Sequence, residues 1–191
     1  LKDYNINVEL TATERCGIQR YTFPEAQAAI FLNLKKAMNW DFTNDSRIEI
    51  VDSVTIQGYR FSDGWARDQH IYFRTRFSKP FTSVQIDTTA IIKDGKHIGP
   101  AAIARFDFNT KKGEQIIVST AISGVSMQGA ERNLSAEVPD NDFDKYRNAI
   151  RDNWNRQLSK IKVESSNNDD KVNFYTALYH SMIAPTIYSD V

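Results

Sequence analysis

The sequence predicts a mainly β protein: an antiparallel β-sandwich followed by helices. Three observations carry this. Apolar and polar residues alternate with period two through roughly the first two thirds of the chain. Turn-forming residues punctuate that alternation. Beyond Ser126 the apolar period becomes helical. No helical pattern separates the strands, so they join as an all-β domain and not through βαβ units.

Taken in order, Ile6, Val8 and Leu10 alternate with Asn7, Glu9 and Thr11. From His70 to Phe77, one face carries Ile71, Phe73, Thr75 and Phe77, and the other Tyr72, Arg74 and Arg76. Val84, Ile86, Thr88 and Ala90 form a further stripe, as do Ala102, Ala104, Phe106 and Phe108, and then Ile116, Val118, Thr120 and Ile122. Turn signals stand at Asn44-Asp45, Asp63-Gly64, Lys79-Pro80, Asp94-Gly95-Lys96 and Lys111-Lys112-Gly113. Together they imply roughly nine or ten strands in a sandwich.

Ser126 suits the N-cap of a first helix. After Pro139, one of Asp140, Asn141 or Asp142 caps a second, whose face carries Phe143, Tyr146, Ile150, Trp154 and Leu158. A short apolar alternation, Ile161 and Val163, and a polar linker from Ser165 to Asp170 lead to a last helix. That helix is apolar or aromatic on nearly every face, through Val172, Phe174, Tyr175, Leu178, Tyr179, Met182 and Ile183. A helix apolar all round needs a larger structure to cover it, and nothing upstream can wrap it. The expectation is a fragment of a two-domain protein that exposes apolar surface on the linker and last helix, or buries it by self-association. The expected divisions are 1–125 for the later part of a sandwich domain, 126–168 for a helical linker and 169–191 for the start of a further domain.

The 191 residues carry no net formal charge, so no global field draws nucleic acid or an anionic membrane. No apolar run approaches the ~20 residues that span a bilayer. No signal peptide is visible, although the sequence opens on Leu1 and not on Met. Cys16 is the single cysteine, which excludes an intrachain disulfide and suits a small core residue.

Among nucleotide-binding and catalytic signatures there is no Walker loop, dinucleotide fingerprint, Gly-x-Ser-x-Gly elbow or His-Glu-x-x-His. His70, His97 and His180 lack metal-ligand spacing; His97 falls in a polar turn. The carboxylates Asp140, Asp142 and Asp144, and Asp169 with Asp170, sit where a helix dipole favours negative charge. Asp190 lies in a loop after the apolar helix, where capping does not account for it; it is a plain turn residue or a substrate-binding one. Trp65, in the turn from Arg60 to Gln69, either closes the core at a strand end or displays its ring for stacking on a sugar. Trp40 poses the same choice.

An ordered series of phrases runs along the chain: Val8-Glu9-Leu10-Thr11-Ala12-Thr13, Arg20-Tyr21-Thr22-Phe23-Pro24, Gly64-Trp65-Ala66, Ile71-Tyr72-Phe73, and Phe77-Ser78-Lys79-Pro80-Phe81. It continues with Ser126, Gly129-Ala130, Asn133-Leu134, Trp154-Asn155, Leu158-Ser159-Lys160-Ile161, Phe174 to His180, Ala184-Pro185 and Ser189-Asp190-Val191. The series resembles the N-terminal part of the family-92 glycoside hydrolases, calcium-dependent exo-acting α-mannosidases of gut Bacteroides. The resemblance implies an N-terminal β-sandwich, a helical linker and an (α/α)6 barrel of which Asp169 to Met182 would be the first helix. It implies hydrolysis of α-mannosides with inversion, by one carboxylic acid and one carboxylate base, with α-1,2 linkages of N-glycans or mannan as the expected substrate. It implies a calcium cofactor, mannose-containing glycans and the barrel domain as partners, and a periplasmic, secreted or outer-surface location in a Gram-negative bacterium. The acid, base and calcium ligands would lie beyond Val191, so no catalytic or metal residue is expected here. The alternative is a non-catalytic carbohydrate-binding sandwich using Trp65 and Trp40.

Overall fold

A computed structural model describes residues 1–35, 40–87, 91–93, 96–99 and 102–191. Among the described residues, eleven strands precede three α-helices. An eight-stranded sheet runs in the order β1 (Asn7–Ala12), β2 (Cys16–Thr22), β11 (Gln115–Ser123), β6 (Gln69–Phe77), β5 (Thr55–Asp63), β4 (Phe42–Ile50), β9 (Lys96–Gly99), β8 (Ile91–Lys93). A three-stranded sheet holds β3 (Ala26–Asn33), β10 (Ile103–Thr110) and β7 (Ser83–Ile86) in that order. Every pairing is antiparallel.

The sandwich core lies between the sheets. Phe106 and Phe108 of β10 are fully buried and meet Ile48, Ile56, Phe73, Phe77, Ile116 and Val118 of the large sheet. Phe77 packs against both phenylalanines, with ring centroids 5.2 and 5.6 Å apart. Phe73, Phe77, Phe106, Phe108, Ile116 and Val118 are residues that the period-two stripes place on one face; Ile48 and Ile56 join them from β4 and β5.

The large sheet has a second buried face. Cys16 and Ile18 of β2 and Ile117 and Ala121 of β11 pack against Leu134 of α1 (Met127–Glu137) and its C-cap Val138, and against Phe143 and Tyr146 of α2 (Phe143–Leu158). Cys16 is thus a core residue, and burial pushes its thiol up to about 12. Strand β11 is covered on both sides, which is why Ile116, Ile117 and Val118 stand in an unbroken apolar run.

The caps follow the sequence. Ser126 Oγ accepts from the Gly129 amide at 3.0 Å. Of the three candidates after Pro139, Asp142 caps α2, its carboxylate accepting from the Lys145 amide at 3.0 Å. The Arg20 guanidinium lies 4.4 Å from the Phe143 ring centre and bonds Glu9 and Asp144, tying the start of α2 to β1 and β2. The last helix, α3 (Asn168–Ser181), has no buried residue. It meets α2 through Trp154 and Tyr179, whose rings stand edge-on at 4.7 Å.

Three expectations change. Strand β3 adds to the predicted count; its outward residues Ala29 and Phe31 are apolar, which hid the alternation. Asn44-Asp45 is not a turn: it lies inside β4, where a bulge between Thr43 and Asp45 absorbs the extra residue. His97 is not in a turn but in β9, opposite Ile48. Thr88, Ala90, Asp94 and Gly95 lie outside the described residues.

Candidate functional site

Strand directions gather several connections at one end of the sandwich: residues 13–15 between β1 and β2, the approach to β4, residues 64–68 between β5 and β6, and the exit from β11. Trp65 stands at this end with 90% of its surface exposed, and Trp40 with 64%. Their ring centroids are 6.4 Å apart and the planes are tilted by 45°. The core-closing role is therefore excluded for both.

The backbone beneath them is pinned. Gly64 presses on Asp41 so closely that a Cβ on Gly64 would lie 2.9 Å from the Asp41 Cα. The Asp41 carboxylate pairs with the Arg60 guanidinium and accepts from Ser62 Oγ at 3.2 Å. Arg60 Nε also donates to the Leu34 carbonyl and to Thr43 Oγ1, each at 3.0 Å. Asp63 accepts from the Asp68 amide and from Asn44 Nδ2, both at 2.7 Å. The Asp68 amide, more than the Asn44 amide, holds the Asp63 carboxyl below the ordinary carboxylate range.

Asp190 is engaged elsewhere at the same end. Its Oδ2 accepts from Ser123 Oγ and its Oδ1 from Asn133 Nδ2, each at 2.8 Å. Asn133 is fully buried, and its Oδ1 accepts from the Val191 amide at 3.0 Å. A Cβ on Gly129 would lie 2.1 Å from Asp190 Oδ2, so only glycine leaves room for the carboxylate on this face of α1. Nearby, Arg15 Nε donates to the Ser189 carbonyl at 2.6 Å. Its Nη1 donates to Glu137 at 2.7 Å, and Glu137 also accepts from Thr13 Oγ1 and from the Arg15 amide. Burial by itself raises the Glu137 carboxyl, but the bonds from Thr13 and Arg15 outweigh it and hold the group below the usual range.

Of the acidic cluster at the start of α2, Asp142 is the cap, Asp140 precedes it and Asp144 lies in the first turn. Lys145, then Tyr146 and the Asp142 amide, bring Asp140 down to about 2. The Arg20 bond lowers Asp144. A general acid for glycoside cleavage needs a raised value, which Asp63, Glu137, Asp140 and Asp144 lack. Among the described residues no group of three or more His, Cys, Asp or Glu side chains is placed to hold a metal ion.

The structure thus places Trp65 beside Trp40 and commits Asp190 to Ser123 and Asn133. The Arg60–Asp41 anchor and the Gly129–Asp190 fit escape a reading by residue type, because each joins positions far apart in sequence. One signal was present: Gly129-Ala130, Asn133-Leu134 and Ser189-Asp190-Val191 are separate phrases of the series above, and they meet in space.

The glycosyl hydrolase family 92 N-terminal domain matches residues 1–123, and the family's catalytic domain matches residues 129–191. The chain belongs to glycoside hydrolase family 92. A family GH92 α-mannosidase from Bacteroides thetaiotaomicron superposes with a TM-score of 0.91 at 30% identity, over 100% of this chain and 27% of that one. The same α-mannosidase solved in complex with mannoimidazole matches equally, over 26% of its chain. An inverting family GH92 mannosidase of the same organism superposes at 0.82 with 23% identity, over 95% of this chain and 24% of that one, a likeness of fold. This family 92 chain therefore spans about a quarter of the length of the solved relatives it matches. Comparison with curated proteins returns no match.

Proposed function

We propose that the protein to which these residues belong is an exo-acting α-mannosidase that removes terminal mannose from N-glycans or mannan with inversion, with preference for α-1,2 linkages. The observation that supports this reading is the likeness of the whole chain to the 30% identical α-mannosidase, together with the two family matches. The mannoimidazole complex of that relative supports a mannose-type ligand.

In this reading residues 1–125 are the later sandwich, 126–168 the linker and 169–191 the opening of the catalytic domain. The carboxylic acid, the carboxylate base and the calcium ligands come from residues outside this chain, and the 191 residues contribute scaffold and interface. Export to the periplasm, the medium or the outer surface would match a glycan substrate. Among the described residues no helix is long and apolar enough to cross a membrane.

The test uses the full-length gene product and α-1,2-, α-1,3-, α-1,4- and α-1,6-mannobiose. Mannose release, fastest from the α-1,2 dimer, with β-mannose as the first anomer seen by proton NMR, is expected. Absence of release, or first appearance of α-mannose, overturns the assignment. The isolated 191-residue chain is expected to release none, and turnover by it would place catalytic groups within these residues. A carbohydrate-binding sandwich is the second reading, favoured by the exposure of Trp65.

A further inference from the structure

We propose that Trp65 and Trp40 form a stacking platform for a pyranose ring of an α-mannoside glycan; the identity of the sugar rests on the α-mannosidase reading, and the platform itself rests on geometry.

A lone exposed aromatic residue on a surface is unremarkable in energetic terms. This pair differs in how it is held. The two tryptophans come from loops distant in sequence, and the contact that joins the loops is the one between Gly64 and Asp41, their immediate chain neighbours. Any side chain on Gly64 would force that contact apart. Beneath it, Arg60 spends its guanidinium on Asp41, Ser62, Thr43 and the Leu34 carbonyl, all within the protein. Asp63 closes the β5–β6 turn through the Asp68 amide. Within this chain the two indoles stand above that anchor at 90% and 64% exposure, where they contribute little to the sandwich core. A site whose backbone is ordered before binding avoids the entropic cost of ordering it.

The surroundings select the occupant. Arg67 and Asp68 are exposed in the same turn as Trp65, and His70 Nε2 lies 2.9 Å from Asp68 Oδ1. Two tilted aromatic faces, with the charged Arg67 and Asp68 in the same turn, suit a ligand with an apolar C–H face and a hydroxylated edge. A helix or strand from a partner protein would need a continuous apolar stripe, and the turn that carries Trp65 is polar at Asp63, Arg67 and Asp68. Pyranose rings carry both faces on one small unit, and indole offers a large, rigid stacking area.

The experiment follows tryptophan emission of the full-length protein titrated with yeast α-mannan, with cellulose oligosaccharides as a non-mannoside control. Mannan is expected to shift the emission saturably. Trp65→Ala is expected to weaken association about tenfold, and Trp65→Phe, which keeps a smaller aromatic face, about threefold. Trp40→Ala is expected to weaken it in the same direction. Thermal unfolding of each variant checks the fold; the exposure of Trp65 predicts an unchanged midpoint. Equal mannan affinity in wild type and Trp65→Ala overturns the platform. So does an emission change that tracks protein concentration instead of glycan, which would identify a second copy as the occupant. Mannose release by the wild type is scored separately, so a protein that binds mannan through Trp65 without releasing mannose fails the activity reading alone.

Discussion

Replacing Gly129 by alanine should release the segment that carries Asp190. The added Cβ would fall 2.1 Å from Asp190 Oδ2 and 2.6 Å from Ser123 Oγ, distances no packed carbon tolerates. Asn133 is fully buried and offers no slack behind the carboxylate. The cheapest relief is departure of Asp190, which breaks its bonds from Ser123 and Asn133. Hydrogen bonds to a charged group contribute about 1.5–3 kcal/mol each, so two at the low end amount to about 3 kcal/mol. Expressed as a local opening equilibrium, that is on the order of a hundredfold. The alanine also gains about 0.5–1 kcal/mol of helix propensity in α1, a term that acts on the helix and not on the docked segment. Hydrogen–deuterium exchange followed in a peptide covering residues 184–191 reads the effect directly. Protection there should fall on the order of a hundredfold while peptides from β10 keep theirs. Exchange of the terminal peptide within about twofold of wild type would show that the Gly129–Asp190 fit does not hold the segment.

Two further predictions concern the scaffold. Phe106→Ala empties a fully buried site between the sheets and should cost about 3–5 kcal/mol in urea denaturation, against little for Phe31→Ala on the exposed face of β3. Glu137 has a folded-state value below its unfolded one, so its bonds to Thr13 and Arg15 contribute stability above the ordinary glutamate range and lose it as pH falls through the folded value. Urea midpoints measured from pH 7 downward should therefore drop more steeply in wild type than in Glu137→Gln, and parallel curves would refute the linkage.

Much of the scaffold is legible in the sequence because it rests on near neighbours. The stripe Ile71, Phe73, Thr75, Phe77 has one possible buried face once the segment is a strand, and Phe73 and Phe77 occupy it. Ser126 is a helix cap because its hydroxyl reaches an amide three residues away. Local rules fail where two elements compete. Asn44-Asp45 has turn chemistry, yet the pairing of β4 with β5 on both sides of it costs less as a bulge than as a break. Ile117 and Ala121 fall on the polar side of the β11 alternation, and only the helices packed there make that side a core.

The candidate sites divide along the same line. The type of each residue, the absence of a metal-ligand spacing among the histidines, the capping of α2 by Asp142 and the family phrases are properties of short stretches of chain, so the sequence by itself determined them. Whether Trp65 faced the core or the solvent depended on how far the β5–β6 turn projects past Gly64 and Asp41. Whether Asp190 was free depended on the bare face that Gly129 leaves beside Asn133. Both turn on contacts between segments separated by more than twenty residues, where sterics and hydrogen-bond geometry in three dimensions outweigh local preference, and only the tertiary structure decided them.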